Sequence, residues 1–214
     1  MNGPSRGSRL VPPDPLHRSA DADKRLRRWL RSLVDTPGLT AIRDLAEARR
    51  ALLDDSLAGV DLVRRYGGAV VDVGSGGGVP GIPLAVALPD RDFTLLEAHG
   101  RKCEFLRRWV PANATVVQGR AEEQPSDLFG VAVAKALAPP PVAAEWCLPL
   151  VRPGGAAILW VGPTADRERV ARVADRLSAE VVDSSSRFLV LEKRAPTPPG
   201  FPRRTGVARK RPLA

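Results

Sequence analysis

Apolar positions along this chain follow two rhythms. Up to about residue 66 they recur at helical spacing, and from Ala69 onward short apolar runs alternate with helical stretches. Between Asp21 and Val34, Leu26, Trp29, Leu30 and Leu33 repeat every three or four positions until Pro37 and Gly38 break the pattern. A second helical stretch is predicted from about Thr40 to Tyr66, its apolar face packing on the later sheet as an N-terminal cap. The runs AVVDV, FTLLE, ATVVQ, VAVAK and AAILWV then read as strands. Between and after them, helices are predicted up to Leu88, over Arg101 to Trp109, over Ala143 to Leu150 and over Asp166 to Leu177. Such alternation implies crossover units on a parallel sheet. Glu180 to Asp183 and Phe188 to Glu192 are separated by a gap around Ser184 to Ser186 that cannot hold a crossover helix, so they are predicted to form an antiparallel hairpin. The fold class is therefore α/β and Rossmann-like: a mostly parallel, seven-stranded sheet with a reversed last strand and an N-terminal helical cap.

The chemistry concentrates at Val70 to Pro83, VVDVGSGGGVPGIP, where an apolar strand ending on Asp72 enters a glycine turn and then a helix. Glycines at 74, 76 and 78 allow close approach of a ligand to the backbone, and the helix start is expected to offer it free N–H groups. Glu97, at the end of FTLLE, suits the paired hydroxyls of a ribose. A P-loop needs Lys and Ser or Thr where Val79, Pro80 and Gly81 stand, which argues against ATP and GTP. Gly76, Gly78 and Gly81 satisfy the dinucleotide pattern, a weak signal that keeps an oxidoreductase as a rival reading. Pro80 and Pro83 argue against it, because one of them fits at N1 but the other shortens the run of N–H groups a pyrophosphate would use.

Charge becomes informative once it is located. The 214 residues carry a net +9, yet residues 1–31 alone hold eight Lys or Arg against three Asp, and residues 193–214 hold seven and no acid. Two basic ends flank a slightly acidic body, which is the footprint of a phosphate-backbone binder. No apolar run approaches a membrane span and no secretory signal is readable, so a cytoplasmic protein with no membrane partner is expected. Cys103 and Cys147 lack metal or disulfide spacing, and no metal is expected. His17 and His99 read as solvent-facing.

The frame DVGSGGGVPGIPLAVALPD, followed by FTLLEAHGRKCEFLRR, GRAEE, AKALAP and PTPPGFPRRTGVARKRPL, resembles the small-subunit ribosomal RNA guanine-N7 methyltransferases, also called the glucose-inhibited division protein B family. LTAIRD and DDSL resemble the family's N-terminal helical motifs. The resemblance covers about residues 25–214. It implies a class I methyltransferase fold, S-adenosylmethionine as cofactor, and methyl transfer to N7 of a guanine in 16S rRNA, free or in the small ribosomal subunit. It also implies that Gly74, Gly76, Gly78, Val79, Glu97, Ala121, Glu122 and Lys135 hold the cofactor. No catalytic side chain is required, since N7 already carries its lone pair. Arg43, Arg203, Arg204, Arg209, Lys210 and Arg211 are expected to grip RNA.

The domain reading is a disordered basic arm over residues 1–20, a helical cap over 21–67, an S-adenosylmethionine-binding domain over 68–194 and a basic tail over 195–214, in a monomer. The chain departs from the family at Leu52 (usually His), Gly38 (Asn), Lys135 (Arg) and Val161 (Lys). An RNA-binding protein that keeps the fold without catalysis is the alternative these departures raise.

Overall fold

The structure is a computed structural model that describes residues 20–214. The arm expected over residues 1–20 lies outside the described residues, except for Ala20, which opens helix α1 (Ala20–Asp35). Asp21 and Asp23 sit in the first turn of α1, where acids favour the helix dipole. The stripe Leu26, Trp29, Leu30, Leu33 and Val34 is buried. The next helix starts at α2 (Leu45–Ala48) rather than at Thr40, because Asp44 caps it by accepting the Glu47 N–H at 2.7 Å. It continues through a π-helical stretch, Arg49–Asp54, into α3 (Asp55–Leu57), with α4 (Val60–Arg64) following.

The sheet comprises β1 (Val70–Val73), β2 (Phe93–Glu97), β3 (Ala114–Gln118), β4 (Phe129–Lys135), β5 (Val151–Trp160), β6 (Ala179–Ser184) and β7 (Phe188–Lys193). Their spatial order is β3-β2-β1-β4-β5-β7-β6. β1 to β5 run parallel, while β7 is antiparallel to both of its neighbours. The reversed last strand thus lies inside the sheet, between β5 and β6. The helices α5 (Gly81–Ala87), α6 (Gly100–Trp109), α7 (Pro140–Cys147) and α8 (Arg167–Arg176) connect the strands.

Alternation along the central strands divides the core in two. Val70, Val131 and Ile158 pack with α1, α5 and α6, whereas Val71, Ala132 and Leu159 pack with α7 and α8. From β1 the chain builds outward to β3 and then returns to β4 on the other side. That reversal opens a crevice at the strand tips, the usual ligand position in such sheets.

The basic tail expected over residues 195–214 packs down on the body. Thr197 bonds Asp127, Phe201 and Leu213 pack against the second core, and a short helix α9 (Val207–Lys210) buries Ala208. Its apolar residues hold it to the surface.

Candidate active site

A cleft of about 370 Å³ opens at the tips of β1, β2 and β4, within the usual range for small-molecule sites. Gly74, Glu97, Ala121 and Glu122, read from the sequence as cofactor contacts, line it together with Leu137, Trp146 and Gly119. Gly74 has φ +70°, and a Cβ there would overlap the Leu137 side chain across the cleft. Only glycine fits that close approach without strain.

Glu97 organises the turn. It is 4% exposed, and one carboxylate oxygen accepts the Gly76 N–H at 2.9 Å while the other accepts the His99 N–H at 2.8 Å. Each oxygen keeps a lone pair, so the carboxylate can still accept from a pair of ligand hydroxyls. Gly76 therefore acts through Glu97. Gly78 and Val79 stand behind the turn, both N–H groups bonded to the Ser75 carbonyl.

The N-terminus of α5 differs from the sequence expectation. The Gly81 N–H donates to Asp72 Oδ2 at 3.0 Å, the Ile82 N–H donates to the Gly78 carbonyl, and Pro83 has none. A pyrophosphate would need those donors free. The cleft thus fits a nucleoside without phosphates better than a dinucleotide.

Asp72 is fully buried, and its Oδ1 has no partner among the described residues. Burial pushes its carboxyl up to about 7, the Gly81 N–H opposing and the Glu97 charge adding to the shift. A native carboxyl that holds its proton more tightly than the unfolded one stabilises the fold at low pH. That contribution fades as pH rises from about 4 towards 7, at most about 1.4 kcal/mol per pH unit. Asp72→Asn is expected to flatten the pH dependence of Tm across this window relative to the wild type. Parallel curves would show that Asp72 does not titrate there.

Trp146 adds a second unpaired polar group. Its indole N–H is buried without a partner among the described residues, in a side chain that lines the cleft. Such a donor is costly unless something accepts from it, and a heterocyclic nitrogen of a ligand would do so. Over the Trp146 ring lies the Arg209 guanidinium, 5.5 Å from the centroid. The Gly206 N–H donates to Glu122 at 3.1 Å, and Thr205 bonds Glu123. The tail is therefore a wall of this cleft, with Gly206 and Arg209 both lining it.

Several residues read as RNA contacts are re-placed. Arg203 donates to both oxygens of buried Glu145, at 2.5 and 2.6 Å, so its guanidinium is committed to the fold. Arg43 is exposed, but it donates to the Val34 carbonyl at the end of α1 and lines none of the clefts described here. Arg204, Lys210 and Arg211 point outward.

Lys135, read from the sequence as a cofactor contact, stands beside that cleft. It lines a neighbouring cleft of about 540 Å³ with Glu47, Arg50, Asp55 and Arg187, away from the cofactor position read from the sequence. Its ammonium and the Arg187 guanidinium both donate to Asp55. Burial raises the Asp55 carboxyl, but those two cations outweigh it and hold it below its ordinary range. The clefts adjoin, because Lys135 lines one while the next two residues, Ala136 and Leu137, line the other. Ala136 turns the chain between them at φ +53°. The Trp160 indole N–H donates to the Asp55 carbonyl at 3.0 Å, tying α3 to the end of β5. Leu52 packs against the first core and Val161 against the second, so apolar packing replaces polar groups there.

The comparisons agree with this geometry. The family model described as GidB, rRNA small subunit methyltransferase G, matches residues 24–195. A ribosomal RNA small subunit methyltransferase G from Synechococcus elongatus is 37% identical over 198 residues, covering 82% of each chain. Its namesake from Moorella thermoacetica is 34% identical over 197 residues, with the same coverage. Among solved structures, the T. thermophilus 16S rRNA N2 G1207 methyltransferase in complex with AdoMet and guanosine superposes with TM-score 0.50 at 18% identity. It covers 66% of this chain and 40% of that one. TYW2 from P. horikoshii in complex with MeSAdo superposes with TM-score 0.51 at 13% identity, covering 66% and 61%. These two likenesses bear on the fold, which is that of the class I methyltransferases. With its sequence matched over most of its length and its strand order and cleft in agreement, the chain belongs to the GidB family of rRNA small subunit methyltransferases.

Proposed function

We propose that this protein transfers a methyl group from S-adenosylmethionine to N7 of a guanine in 16S rRNA, in the cytoplasm and as a monomer. The observation that carries the reading is the pairing of two adjoining clefts. One is a nucleoside site with an acid for ribose hydroxyls, beside a helix start whose Gly81 and Ile82 N–H groups are already bonded within the fold; the other is polar, flanked by Lys135 and Arg187. In the domain reading, residues 21–67 and 195–214 frame the cofactor-binding domain at 68–194.

Gly74, Glu97, Ala121, Glu122 and Trp146 would hold the cofactor, which supplies an electrophilic methyl on sulfur. Glu97 would take the ribose hydroxyls, and the Trp146 indole N–H would donate to the adenine. Guanine N7 would accept that methyl on its own lone pair, so no side chain has to remove a proton first. The protein's task is alignment and exclusion of water. Lys135 and Arg187 would donate to O6 of the guanine, leaving the N7 lone pair free for the methyl. Cys147 has no covalent role in this scheme, because burial raises its thiol far above the range in which a thiolate forms.

Gly76→Arg tests the cofactor cleft. A Cβ at Gly76 meets nothing closer than 3.8 Å, but φ of +57° strains any side chain there, so Tm is measured beside activity while a cation crowds Gly74 and Glu97. Transfer of labelled methyl to 16S rRNA is expected to vanish, and transfer at the wild-type rate would refute the site. Lys135→Ala tests the second cleft. Losing one charge-assisted bond, it is expected to raise KM for rRNA or lower kcat by about 10-fold to 100-fold while leaving S-adenosylhomocysteine binding intact. Weakened cofactor binding with unchanged RNA kinetics would return Lys135 to the cofactor.

A further inference from the structure

We propose that the exposed side of the helical cap is the surface on which the RNA backbone docks, along a line of cations that starts on α1 and ends at the Asp55 cleft. The proposal rests on the rRNA reading above and adds the path by which the RNA arrives.

The outward stripe of α1 carries it. Lys24, Arg28 and Arg31 are all exposed and follow one another at spacings of four and three residues, which places them on one line of the helix opposite its buried stripe. At a rise of 1.5 Å per residue the line is roughly 10 Å long. Two shallow depressions flank it. One of about 650 Å³ includes Lys24, Arg28, Arg108 and Trp109, and one of about 1120 Å³ includes Lys24, Arg28, Arg31, Arg49 and Trp109. Only Asp21 in the first and Asp35 in the second bring acid to these linings.

The line continues to the reaction site. Arg49 belongs to the larger depression, and its neighbour Arg50 lines the Asp55 cleft with Lys135 and Arg187. Among the described residues, Lys24, Arg28, Arg31 and Arg50 make no side-chain hydrogen bond or ion pair that would neutralise them. Arg49 faces Asp54 at 3.6 Å with both side chains about half exposed, a pairing too weak to withdraw its charge from a ligand. Trp109, which lines both depressions, offers a face on which an unpaired base can stack.

Unneutralised cations in a row, an aromatic beside them and a polar cleft at the end match a nucleic-acid backbone better than an acidic protein surface. An acidic partner would gain nothing from a line that leads to the Asp55 cleft. The commitment of Arg203 to Glu145 points the same way, since it removes one of the tail cations from the RNA-facing set.

The test uses the full chain carrying Lys24→Gln, Arg28→Gln and Arg31→Gln together. Binding to a 16S rRNA fragment and KM for methyl transfer are both measured across a salt series, with S-adenosylhomocysteine affinity and Tm as controls. The expected result is a loss of RNA affinity of about tenfold or more, with the slope of log affinity against log salt reduced by about two to three. Cofactor affinity and Tm should match the wild type. A second variant, with Lys24→Arg, Arg28→Lys and Arg31→Lys, should retain both affinity and slope because it keeps the charges. Unchanged RNA affinity and slope in the glutamine variant would overturn the proposal, as would loss of binding to an acidic protein with RNA binding intact. If the wild type binds the fragment but methylates none of it, the functional reading fails while the track remains testable by binding alone.

Discussion

Glu97→Ala is expected to weaken binding of S-adenosylhomocysteine by about a hundredfold or more, measured by calorimetry. Two effects combine. The substitution removes the acceptor expected for the ribose hydroxyls, and it frees the Gly76 and His99 N–H groups that Glu97 now holds at 2.9 and 2.8 Å. A hydrogen bond to a charged group contributes about 1.5–3 kcal/mol, so losing one such bond to the ligand together with the order of the turn reaches that range. Glu97→Gln separates the contributions. It retains one acceptor but must turn an amide donor towards one of the N–H groups, so an intermediate affinity is expected. Wild-type affinity in Glu97→Ala would mean that the cofactor does not lie over the tip of β2.

Arg203→Ala is expected to lower stability by about 3–5 kcal/mol. Glu145 is 3% exposed on α7, and Arg203 meets both of its oxygens, so truncation leaves a charge buried without its partner. For a chain of this size, that corresponds to a fall in Tm of roughly 6–20 °C. The loss should spread to the cofactor cleft, because Arg203 anchors the segment that brings Gly206 to Glu122 and Arg209 over Trp146. Pairing Arg203→Ala with Glu145→Leu removes the orphaned charge and should recover much of the Tm, but not the cofactor affinity. A Tm within a degree or two of the wild type for Arg203→Ala alone would show that the pair is dispensable.

Sequence alone made the sheet legible because each strand ends on a recognisable break. AVVDV runs into glycines, FTLLE ends on an acid, and the gap after Asp183 is too short for a helix. The hairpin's place was harder to read, since nothing local says that β7 inserts between β5 and β6. Within the site, Gly74 and Glu97 were readable because a glycine turn and a strand-end acid carry their chemistry locally. Trp146 was not, because it sits in PPVAAEWCLPL, where every residue but Glu145 is apolar and no period marks the face that meets the cleft.

Glu145 in the same segment did leave a signal. A lone acid among apolar residues requires a cation, and that cation, Arg203, lies 58 residues away in the tail. The partners of the other cations left less trace, because charge counts do not record which groups the fold brings near. Lys135 shows this at a separation of 80 residues, its ammonium drawn to Asp55 on α3.

The most direct test of the account is the identity of the modified nucleoside. Purified protein is incubated with methyl-labelled S-adenosylmethionine and 16S rRNA, free or in small subunits, taken from cells lacking this gene. The RNA is then digested to nucleosides and separated. The expected result is label in 7-methylguanosine at one position. Label in another nucleoside, or none in either form of the RNA, would contradict the account.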